Sequence, residues 1–173
     1  MRQKRVFALV YRLIAFLACL AGVLNALGLF SGNFSAEILL YYTTESNLLV
    51  LTMFALLLCR TAIDIKEHGT VGPASYFERL ETIVTLAITL TLVVFWGLLA
   101  PGSDLSFLFS YHNLQIHLIT PLLMIFDYFL FVTPGKMKKQ DPLFFALIPV
   151  AYLVQAYSVA FSGFVYSSDL GAG

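Results

Sequence analysis

The chain has 173 residues, 60% of them hydrophobic and only 12% charged, with ten Lys and Arg balanced by ten Asp and Glu. Soluble domains carry about 25% charged residues, so this composition argues against a water-soluble globular domain. Several apolar runs reach the roughly 20 residues that a bilayer core requires, which predicts an all-α polytopic transmembrane bundle in one integral membrane domain, residues 1–173.

The basic start Met-Arg-Gln-Lys-Arg opens onto an apolar run, residues 6–30. That run is too long for a signal peptide and has no small-residue cleavage site, so it is expected to stay as span 1. A short link, 31–36, leads to span 2 at residues 37–59. A polar loop, 60–77, follows and holds Asp64, Lys66, Glu67 and His68. Span 3 covers 82–100 and stops at Pro101-Gly102; span 4 covers 113–133 and stops at Pro134-Gly135. A charged linker, 136–141, precedes span 5 at 142–162, and the tail from Tyr166 to Gly173 is polar.

Charge sets the expected orientation. Arg2, Lys4, Arg5 and Arg12 precede or begin span 1. Arg60, Lys66 and Arg79 lie between spans 2 and 3, and Lys136, Lys138 and Lys139 between spans 4 and 5. With five spans all ten fall on one side, so the positive-inside rule puts the N-terminus in the cytoplasm. Cys19 and Cys59 have neither disulfide nor metal-site spacing and read as small apolar residues.

The polar stretch Tyr41-Tyr42-Thr43-Thr44-Glu45-Ser46-Asn47 opens a long apolar run. Polar groups at membrane depth face a cavity or one another, and mark a functional site by default. At 1.5 Å per residue, Thr43 lies about 9 Å inside span 2 and His117 a roughly similar distance inside span 4. Thr43, Ser46, Asn47 and Val50 share one helix face. Asn113, His117, Thr120, Met124 and Asp127 follow a 4-3-4-3 spacing on another. Gln155, Ser158 and Ser162 make a third stripe, and Asn25 stands near the end of span 1. These stripes imply a shared cavity in the outer half of the membrane, with Phe107, Phe109, Leu114 and Ile116 suited to an acyl chain.

Each residue also has a plainer reading. Membrane Thr and Ser hydroxyls commonly bond back to their own helix or join two helices, and Thr82, Thr85 and Thr89 read that way. His117 either carries chemistry or bonds helix to helix. Asp127 reads as a structural partner of a hydroxyl such as Tyr128, with a neutral acid or a proton relay as alternatives. Glu45 either carries chemistry or reaches the outer interface. His68 is expected in solvent and His112 at the interface. A haem between helices needs facing ligands, and a catalytic zinc takes three. Neither pattern is present, and no glycine-rich phosphate loop follows a strand, so no cofactor, metal or nucleic acid is expected.

The run Tyr-Tyr-Thr43-Thr-Glu-Ser46-Asn47-Leu-Leu, then Asn113-Leu-Gln-Ile-His117-Leu-Ile-Thr-Pro121-Leu-Leu and Asp127-Tyr128, resembles the androgen-induced membrane protein family and its bacterial relatives. Animal members of that family hydrolyse fatty acid esters of hydroxy fatty acids, with a threonine nucleophile and a histidine base on two helices. The resemblance implies a lipid-ester hydrolase with those roles on Thr43 and His117, in a bacterial inner membrane, with a membrane lipid ester as substrate. Asn47 and Asn113 are then candidate oxyanion donors, Ser46 or Asn113 a candidate to orient the imidazole, and Thr120 and Gln155 supporting residues. The family's usual sixth span and its Tyr-Pro-Phe-like motif are expected to be missing, since Tyr166 is followed by Ser-Ser-Asp. The rival readings are a small transporter or channel, and a structural membrane subunit whose polar residues are helix-helix glue.

Overall fold

The computed structural model describes residues 5–34, 36–135 and 141–162, which are predominantly helical with no strand among them. Tyr166, the linker lysines 136, 138 and 139, and Arg2 and Lys4 lie outside the described residues. Five helices are long and apolar enough to cross a membrane: α1 (Arg5–Ala26), α2 (Tyr42–His68), α3 (Glu78–Leu99), α4 (Tyr111–Phe131) and α5 (Leu143–Phe161). The chain is thus the all-α, five-span bundle expected, and these helices mark an integral membrane protein.

Two boundaries differ from the sequence reading for physical reasons. Residues Ala36–Leu40 wind as a separate 3-10 turn, Tyr41 is extended, and α2 begins only at Tyr42. Thr43 therefore sits in the first turn of its helix, not a third of the way along it. At its other end α2 runs past Cys59 to His68. Leu57, Thr61 and Asp64 continue its buried face, and Thr61 and Asp64 find cationic partners inside the bundle. Gly69, at φ 80°, ends the helix by donating its N–H to the Ile65 carbonyl, a left-handed cap that costs glycine no Cβ clash.

Helices α1 to α4 close a ring in which α1 touches α2 and α4, and α3 touches α2 and α4. A core of Ala15, Cys19, Val50, Met53, Phe54, Leu57, Val84, Ile88 and Met124 fills it. On α1 the buried face reads Ala8, Arg12, Ala15, Cys19, Gly22, Ala26. Small residues at this spacing let neighbouring membrane helices approach closely. Gln115 lies against Gly22 and donates to the Ala18 carbonyl at 2.8 Å. Helix α5 packs on α3 and has no buried residue of its own. The ends of the bundle are tied differently. At one, the Arg5 guanidinium pairs with Asp64 and donates to the carbonyls of Gly69 and Val71. At the other, Asn25 meets His112 at 3.4 Å.

Arg12, which the sequence reading counted only among the orientation-setting charges, is a buried ion. It is 0% exposed. Its Nε and Nη2 donate to the two oxygens of Asp127 at 2.9 and 3.1 Å, and its Nη1 donates to Thr61 Oγ1 at 2.8 Å. Asp127 has a partner, but it is this arginine and not a neighbouring hydroxyl. Removing one member of a buried ion pair leaves a bare charge and costs about 3–5 kcal/mol. Asp127→Asn is therefore expected to lower thermal stability in detergent steeply, by a loss of about that size; an unchanged unfolding curve would contradict the pairing.

Candidate active site

A cavity of about 390 Å³ opens where the first turn of α2, the last turns of α3, His117 of α4 and the middle of α5 meet. That is within the range of small-ligand pockets. Thr43 and His117 both line it, so the two residues singled out from the sequence share one space. Its apolar walls are Leu90, Val94, Phe95 and Leu99 of α3 with Pro149 and Leu153 of α5. Phe107, Phe109, Leu114 and Ile116, expected as walls because they flank His117 in sequence, are not among the lining residues. The helix that carries His117 presents it toward α3 and α5, whose side chains supply the walls instead.

The imidazole is held in an unusual way. Residues Gln115–Ile119 of α4 form a π-helical turn, as do Phe95–Leu99 at the end of α3. π turns are rare and gather at functional sites. Each widens its helix by one residue and takes carbonyls out of the ordinary ladder. Two of the carbonyls in the α4 turn accept from other helices: Ile116 from Asn47 Nδ2 at 3.1 Å and His117 from Trp96 Nε1 at 3.1 Å. The two turns bring Phe95 and His117 face to face, ring centroids 3.8 Å apart and planes 17° from parallel. His117 Nδ1 is buried with no hydrogen-bond partner. The ring is positioned by stacking, not by an acceptor on its second nitrogen.

Most polar side chains around the cavity are engaged. Tyr42 donates to the Ala87 carbonyl at 3.2 Å and stands edge-on to Tyr152 at 5.1 Å. Thr91 shares a 2.8 Å hydrogen bond with Ser46, and Tyr41 and Tyr152 have interactions of their own. Among the described lining residues, the Thr43 hydroxyl and the His117 ring nitrogens are the polar groups left without a partner. They make no direct hydrogen bond with each other.

The supporting residues fall elsewhere. Ser46 is buried and bonds to Thr91 and to the Thr43 carbonyl at 3.0 Å, away from the imidazole. Asn47 spends its amide hydrogens on the Thr43 carbonyl at 2.7 Å and on Ile116. Asn113 donates to Leu108 O at 3.2 Å. None of the three reaches the cavity, because each is occupied in holding backbone. Thr120 is buried beside Cys19. Gln155 lines a second cavity of about 500 Å³ between α2 and α5, together with Glu45; Tyr152 stands on the wall common to both cavities. Ser158 and Ser162 are exposed and bond back to their own helix, and so do Thr82, Thr85 and Thr89. Trp96 and Phe95 were not anticipated, since a π turn has no signature in residue spacing.

Comparison with family models, with curated proteins and with solved structures finds no match to the chain. The chemistry is therefore argued from the site alone. Two donors on neighbouring helices hold the α4 turn open, and a carbonyl left bare in a buried position costs about 1–3 kcal/mol. Asn47→Leu is expected to destabilise the protein by that amount in thermal unfolding, and to loosen His117 without removing it. A variant as stable as the parent would show that the Ile116 carbonyl needs no donor.

Proposed function

We propose that the protein is an integral membrane hydrolase of lipid esters that uses Thr43 as nucleophile and His117 as base, in line with its resemblance to the androgen-induced membrane protein family. The observation that carries this reading is the pair of unengaged groups, one hydroxyl and one imidazole, lining an otherwise apolar cavity. A threonine hydroxyl is a weak nucleophile until a positioned base takes its proton. A histidine, with an ordinary pKa near 6.5, is the side chain suited to take it at neutral pH.

The steps follow. A lipid ester enters with an acyl chain against Leu90, Val94 and Leu153. Thr43 Oγ1 attacks the ester carbonyl as its proton passes to His117 Nε2, the nitrogen that is not buried against protein. The imidazolium returns that proton to the leaving alcohol, and an acyl-threonine remains. Water, deprotonated by His117, then attacks the acyl group and frees the fatty acid, restoring Thr43. The oxyanion needs donors. Asn47 and Asn113 do not line the cavity, so the role passes to the first turn of α2, whose N–H groups have no intrahelical acceptor and whose end of the helix dipole favours negative charge. By the positive-inside argument the cavity lies on the outer side of a bacterial inner membrane, with the N-terminus in the cytoplasm.

A transport path is disfavoured by what lies below the cavity. Val50, Phe54, Ile88 and Met124 form a layer at 0% exposure between the Thr43 end and the buried ions at the other end. It offers no polar route between the two.

General acid–base catalysis contributes about 10²- to 10⁴-fold. Thr43→Ala and His117→Ala are each expected to cut hydrolysis of a long-chain p-nitrophenyl ester in detergent at least about 100-fold. The double variant should fall little further, as groups acting in one step are not additive. Ser46→Ala, outside the cavity, should retain most activity. Full activity in either single cavity variant, or no hydrolysis by the parent protein across a series of ester chain lengths, would overturn the assignment.

A further inference from the structure

The end of the bundle away from the cavity holds a second cluster of ionisable groups. Glu81, one turn into α3, is 0% exposed. Neither of its carboxyl oxygens has a hydrogen-bond donor among the described residues. The cation that faces it is Arg12, whose Nη2 stands 3.9 Å from Glu81 Oε1, beyond hydrogen-bonding range. Arg12 is already committed: Asp127 takes two of its donors and Thr61 a third. Its guanidinium also lies 5.0 Å from the Phe131 ring and 5.7 Å from that of Tyr76. One positive charge thus faces two carboxylates, and one of those carboxylates has no donor at all.

The groups turned toward Glu81 come from every neighbouring element. They are Arg12 on α1, which also holds the Thr61 hydroxyl of α2, Asp127 on α4, and Glu78 on its own helix one turn nearer the end. Tyr76, in the loop before α3, donates to Asp64 at 3.2 Å; burial and then the Asp64 carboxylate raise its phenol above the ordinary value, so it brings no charge. A naked carboxylate in this setting is strongly unfavourable. A proton on Glu81 removes that cost and leaves the trio of Arg12, Asp127 and Glu81 electrically neutral. Intramembrane carboxyls of this kind mark proton sites in membrane proteins generally.

We infer that Glu81 is a proton-binding site: at rest it is a carboxylic acid, and together with Arg12 and Asp127 it takes up and releases one proton inside the bundle. The site is separate from the Thr43–His117 cavity and does not depend on the reading of that cavity.

The test compares infrared spectra of the detergent-solubilised parent protein and Glu81→Gln at neutral pH. The expected difference spectrum contains a carboxylic-acid carbonyl band from the parent that the variant lacks. The band should fade as the pH is raised while the protein stays folded, because release removes the acid form. Glu81→Gln, which mimics the neutral acid, should unfold at the parent's temperature. A carboxylate band in place of the acid band overturns the inference, as does a band that persists until unfolding. A Glu81→Gln protein that fails to fold, or whose unfolding temperature drops markedly, overturns it as well, since a neutral group must tolerate a neutral replacement of its shape.

Discussion

The structure depends on how a handful of charges are kept inside an apolar bundle. A guanidinium buried in an apolar bundle is tolerated only when its donors are met, and Arg12 meets them with Asp127 and Thr61. The bidentate geometry joins α1 to α4, the third bond joins α1 to α2, and the unfilled side of the ion faces α3. One side chain thereby sets the relative height of three helices. An ion pair of this kind adds little net stability over a hydrophobic replacement, but it penalises any other register severely. Apolar contacts alone, which slide at small cost, would leave that register undetermined.

The bundle separates two kinds of polarity. Near one end, polar side chains hold backbone in an unusual shape: Asn47 and Trp96 support carbonyls of the α4 π turn, and Ser46 is tied to Thr91. Near the other, ions hold ions. The apolar layer of Val50, Phe54, Ile88 and Met124 lies between. This division lets the cavity retain two unengaged groups, because the rigidity they need is supplied by neighbours that do not enter it. The stacked Phe95 ring holds the plane of the His117 imidazole and covers one of its faces.

Much of this was legible in the residues. The five spans follow from apolar length, and the α4 stripe Asn113, His117, Thr120, Met124, Asp127 faces inward as its spacing predicts. Thr43 and His117 also share one cavity, as their facing implied, although the depth counted for Thr43 assumed a helix start five residues too early. Arg12 was legible and passed over: it interrupts a row of small residues at the same spacing, Ala8, Ala15, Cys19, Gly22, which marks it as an inward position. The extension of α2 to His68 was obscured by its polarity, which reads as loop until Arg5 and Arg12 are known to face it. The π turns, and with them the Phe95 stack and the Trp96 contact, lie outside what periodicity can express. In α4 the extra residue is accompanied by cross-helix donors to its carbonyls, which no spacing pattern announces. Counting on from His117 in sequence therefore assigned the cavity walls to the wrong helix.

Helix α5 closes one side of the cavity with Pro149, Tyr152 and Leu153, yet it buries none of its residues. Segments with few packed contacts open locally at far lower free energy than the core. Lipid acyl chains are as apolar as the leucines they would replace, so peeling this helix away exchanges one hydrocarbon neighbour for another at little cost. The wall formed by α5 is thus the side of the cavity that the bundle itself holds least tightly.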